Sequence, residues 1–110
     1  VDMFAIFEDD LLPLASHNET AMKINDAIRA LPPSADVLLL DVCLESLDKV
    51  RYSNRRVQSN LFRASSPQCS GATIFTAKGA RRALELGSPV FTSIDSMYAH
   101  MIEQGWLEAS

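Results

Sequence analysis

The chain holds 110 residues with a net charge of −4, a hydrophobic share of 47% and a charged share of 22%. Those values describe one globular domain at most, long enough to bury a core, and they exclude disordered, collagen-like and coiled-coil classes. The acidic balance offers nucleic acid no global electrostatic support, and no apolar run approaches the roughly 20 residues that a bilayer-spanning helix needs.

In chain order, Met3 to Glu8 reads as a first strand, an apolar run that stops at three consecutive carboxylates, Glu8, Asp9 and Asp10. Leu11-Leu12-Pro13-Leu14 reads as a loop, because Pro13 turns Leu12 away from helix. Ser16, His17 and Asn18 are N-cap candidates for a helix in which Ala21, Ile24, Ala27, Ile28 and Leu31 recur at helical spacing, and Pro32-Pro33 ends it. Asp36 to Cys43 contains Val37-Leu38-Leu39-Leu40, a continuous apolar run expected of a strand buried on both faces. Strand, helix and strand in that order suggest a βαβ unit. Residues 44–68 are irregular, with Arg51, Arg55 and Arg56 in a segment that reads as a functional loop and a short strand near Leu61-Phe62. Gly71 to Thr76 reads as a further strand, Lys78 to Leu86 as a helix stopped by Gly87, and Ser93 to Gln104 as a last helix with Gly105 at its end. The expected architecture is α/β, a Rossmann-like fragment with a mostly parallel central sheet flanked by helices.

The chain begins at Val1 and its first residues already lead into a core strand, so it reads as a piece of a longer protein, which leaves the compartment open. Cys43 and Cys69 are too few for a disulfide scaffold; each reads as a buried thiol, and one disulfide between them stays open in an oxidising compartment.

Carboxylates at the end of a buried strand point to a cation or phosphate–metal site, because α/β proteins hold ligands there. If the backbone stays extended, Glu8 and Asp10 face one side and Asp9 the other. Two hard oxygen donors so placed would grip Mg²⁺ or Mn²⁺ and leave positions for a nucleotide diphosphate. The bland alternative is a strand running into a polar turn whose acids cap the next helix. Asp41 ends the second strand as the triplet ends the first, and equally reads as a lone turn residue. Asp95 falls near a helix N-terminus, where a carboxylate is commonly structural. His17 and His100 lack metal-ligand spacing; His100 is kept as a histidine that would complete a metal site begun by the acids. Lys78, with the backbone N–H groups opening its helix, would meet an anion or simply face water.

Assembled in order, these segments resemble glycosyltransferase family 25, the group of bacterial lipopolysaccharide glycosyltransferases and collagen galactosyltransferases. Ala5-Ile6-Phe7-Glu8-Asp9-Asp10 is similar to the family's apolar strand closing in an E-D-D metal motif. Ala35-Asp36-Val37-Leu38-Leu39-Leu40 resembles its W-D-hydrophobic strand. The run from Cys69 to Arg81 resembles the segment C-x-x-A-Y-h-h-S-x-x-G-A, and Pro89 to Met97 its P-h-x-x-P-h-D-x-x-h ending. The resemblance implies a GT-A-like fold and a metal-dependent inverting transfer from a nucleotide sugar, uridine-linked, to a glycan or protein hydroxyl. It implies Mn²⁺ and the diphosphate at Glu8, Asp9 and Asp10, and Asp95 as the base that deprotonates the acceptor. Residues 1–110 would then be a partial domain lacking the N-terminal nucleotide-binding segment. The sequence departs from the pattern at Thr73 and Ile74, at Thr76 in place of the serine, and at Asp41 where glycine is usual.

Two other readings stand beside it. Phe7-Glu8-Asp9-Asp10, Leu38 to Val42 and Phe75 to Gly79 also look like a two-component receiver, with Mg²⁺ at Asp9 and Asp10 and Asp41 as phosphoacceptor. Against it, the interval from Asp10 to Asp41 has room for one helix and little more. The third reading is an inert α/β fragment.

Overall fold

The computed structural model describes residues 3–40, 56–58, 61–62, 71–89 and 92–110. Strand β1 (Met3–Phe7) is followed by helix α1 (His17–Ala30) and strand β2 (Val37–Leu39). A short hairpin of β3 (Arg56–Gln58) and β4 (Leu61–Phe62) precedes β5 (Ala72–Thr76), and helices α2 (Ala77–Leu86) and α3 (Ile94–Glu103) complete the order. Asp41, Cys43, Arg51, Arg55, Cys69, Val90 and Phe91 lie outside the described residues.

The helix boundaries follow from local chemistry. Ser16 caps α1, its hydroxyl accepting from the Glu19 N–H at 3.2 Å, which satisfies one of the amides that a helix leaves unpaired at its start. Thr76 does the same for α2, accepting from the Gly79 N–H at 3.0 Å. Ser93 caps α3, and Gly105 beyond its C-terminus adopts φ 75°, which glycine reaches without strain.

The fold is α/β, but the sheet is not the parallel one expected from the apolar runs. Its order is β1-β5-β2, and β5 is antiparallel to both neighbours. Met3 faces Thr76 and Phe7 faces Ala72 on one side; Val37 faces Phe75 and Leu39 faces Thr73 on the other. β1 and β2 still point the same way across α1, with β5 inserted between them. The continuous apolar character of β2 and β5 reflects helices on both faces of the sheet, and that double cover does not require parallel strands. Residues 108–110 extend the sheet beyond β2: Ala109 bridges Val37 in parallel, and Leu39 N–H donates to the Ser110 carbonyl at 2.7 Å.

Two hydrophobic layers result. On one face Val37 and Phe75 pack with Met97, Met101, Ile102 and Leu107 from α3 and the segment after it, with Ala80, Ala83 and Leu86 of α2 alongside. On the other, Leu38, Ile74 and Leu61 pack with Ile24, Ala27, Ile28 and Leu31 of α1. No residue of α1 is fully buried, so the α1 layer is the more open of the two. Among the described residues no helix is long and apolar enough to cross a membrane.

Candidate functional site

Inserting an antiparallel strand between β1 and β2 brings their carboxyl ends to the same edge of the sheet. Glu8 N–H donates to the Gly71 carbonyl at 2.8 Å, and from the other side Leu40 N–H donates to the Ala72 carbonyl at 3.0 Å. The two strand ends therefore flank the start of β5, two strand spacings or roughly 10 Å apart. Glu8, Asp9 and Asp10 are all exposed there. The strand ends at Phe7, however, and Asp9 and Asp10 form a turn in which Leu11 N–H approaches the Glu8 carbonyl at 3.5 Å. Alternation of side chains thus stops one residue before the triplet, and the expected pairing of Glu8 with Asp10 on one strand face does not apply. Among the described residues no group of three or more His, Cys, Asp and Glu side chains is gathered as a metal site.

Beside this turn lies a cavity of about 680 Å³, walled by Phe7 of β1, Glu8, the 11–15 loop, Thr20, Lys23 and Ile24 of α1, Leu40 and Ala72. One feature of the sequence marks it: Leu11-Leu12-Pro13-Leu14 is apolar although it forms a loop, and Leu12 and Leu14 stand out in solvent.

The remaining candidates fall elsewhere. Lys78 is at the opposite end of the sheet, because β5 runs from Gly71, beside Glu8, to Thr76, which caps the helix Lys78 belongs to. Its ammonium is engaged by Asp36 Oδ1 at 3.2 Å and donates to the Ser34 carbonyl at 2.8 Å. The structure therefore gives Lys78 an ion pair rather than a place beside the acidic turn. His100 lies on α3 and packs edge-on against Trp106, ring centroids 5.4 Å apart, on the sheet face opposite α1. Asp95 is the second residue of α3; its side chain lies outside the described residues. Met97, two residues on, abuts Gly87 at the end of α2.

Asp36 is the functional-looking residue that sequence reasoning left without a role. It is buried, at 5% exposure, and its groups are bonded to three parts of the chain. Oδ2 accepts from Glu108 N–H at 2.9 Å, and its own N–H donates to the Glu108 carbonyl at 2.8 Å. Its carbonyl accepts from Thr76 N–H at 3.0 Å and lies so close to Gly79 that a Cβ there would sit 1.9 Å away. The A-D-hydrophobic and T-x-x-G segments are thus two halves of one packing contact.

Compared with protein-family models, with curated proteins and with solved structures, the chain finds no match.

Proposed function

We propose that the chain is part of a metal-dependent inverting glycosyltransferase that moves a sugar from a nucleotide-sugar donor to an acceptor hydroxyl. The observation that carries this reading is the convergence of the carboxyl ends of β1 and β2 on Gly71-Ala72, with Glu8, Asp9 and Asp10 exposed at that edge beside an open cavity. Two strand carboxyl ends lie at this edge, as in the parallel α/β sheets that bind ligands there, with the amino end of β5 between them. The donor chemistry fits a hard divalent cation: such ions are commonly held by one or two carboxylates, with substrate phosphates and water completing the shell. Carboxylates of the turn Glu8–Asp10 would hold it, and the cation would offset charge on the departing nucleotide. Asp95, at the start of α3, is the residue that the family resemblance nominates to take the acceptor proton. The receiver reading is less well supported, because β5 separates the strand of Asp9 and Asp10 from the strand leading to Asp41. The nucleotide-binding half implied by the resemblance would add to the side of β1 that no described strand pairs, where Phe4 and Ile6 are half exposed.

The test is thermal unfolding with Mn²⁺ and a uridine diphosphate, together and separately. The two together should raise Tm, and Asp10→Ala should remove the rise. An unchanged Tm at millimolar ligand would overturn the reading.

A further inference from the structure

We draw no further inference here: the strongest candidate, the open apolar groove between the 11–15 loop and α1 beside the acidic turn, carries nothing, because nothing in the structure shows what covers it.

Discussion

The two ends of the central sheet use carboxylates in opposite ways. At the Thr76 end, Asp36 is buried and locked between β5, α2 and the 108–110 segment, with Lys78 against its Oδ1. At the Gly71 end, Glu8, Asp9 and Asp10 stand in solvent beside an apolar cavity. With its Oδ2 and its carbonyl bonded and Lys78 beside Oδ1, Asp36 holds elements together. Among the described residues, the exposed carboxylates of the turn hold no element in place. Residue type alone would rank Asp36, Asp10 and Lys78 as equals; their surroundings separate them.

The contrast is broken most severely at Gly79. Because a Cβ there would meet the Asp36 carbonyl at 1.9 Å, with backbone on both sides of the contact, Gly79→Ala forces β2 and α2 apart. A loss of about 3 kcal/mol or more in denaturant unfolding is expected. A loss below about 1 kcal/mol would mean that the two elements are not in contact as described.

Substituting the carboxylates themselves is the next largest effect. Asp36→Ala leaves the Glu108 N–H without its side-chain acceptor, at a cost of about 1–3 kcal/mol. Lys78 is half exposed and re-solvates, so the ion pair adds little to that figure. Asp10→Ala should move stability by no more than about 0.5 kcal/mol in either direction while removing the metal–nucleotide response. Equal destabilisation by the two variants would erase the distinction between the ends.

How much of this was legible beforehand differs between the ends for a physical reason. Helix periodicity, Ser16 as a cap and the stop at Gly87 are local properties, and α1, α2 and α3 follow them closely. Apolar runs marked β1, β2 and β5, but a run says only that both faces are covered, not which strand is the neighbour. The antiparallel insertion of β5 was therefore invisible, and with it the distance of Lys78 from Glu8. The exposed triplet stood out in the sequence because it interrupts an apolar strand. Asp36 did not, since one acid before such a strand is ordinary, and its partners at Glu108 and Gly79 are distant in sequence.

A smaller effect concerns the cap and the core behind the Thr76 end. Thr76→Ala removes the acceptor for Gly79 N–H and a donor to the backbone of residues 35 and 36, costing about 1 kcal/mol. Tyr98, edge-on to Phe75 at 5.5 Å, has its phenol pKa pushed above 10.0 by burial. The neutral ring is favoured in the folded chain, so that contribution is complete below the unfolded pKa near 10 and is lost as pH rises through the higher folded value. Tyr98→Phe should flatten the alkaline limb of the stability–pH curve and leave it unchanged at neutral pH.

The least change in fold stability, yet a visible change in behaviour, is expected at the free side of β1. Glu8 N–H bonds to β5, so by antiparallel alternation Phe4 and Ile6 also direct their backbone groups to β5, while Met3, Ala5 and Phe7 direct theirs outward. Among the described residues no strand pairs with this outer edge, which carries no charge between Met3 and Phe7, with Phe4 at 50% and Ile6 at 54% exposure. Natural edge strands are usually blunted by a charge, a proline or a bulge, and β1 has none of these between Met3 and Phe7. The chain of residues 1–110 should therefore associate as its concentration rises, measurable by light scattering. Ile6→Lys should suppress that association with a stability change within about 0.5 kcal/mol, since the side chain is already half in water. If Ile6→Lys unfolds the chain instead, β1 is covered in solution and the open side of the sheet is closed by its own residues. If it changes neither property, the edge is unpaired but inert, and the apolar strand needs no second cover.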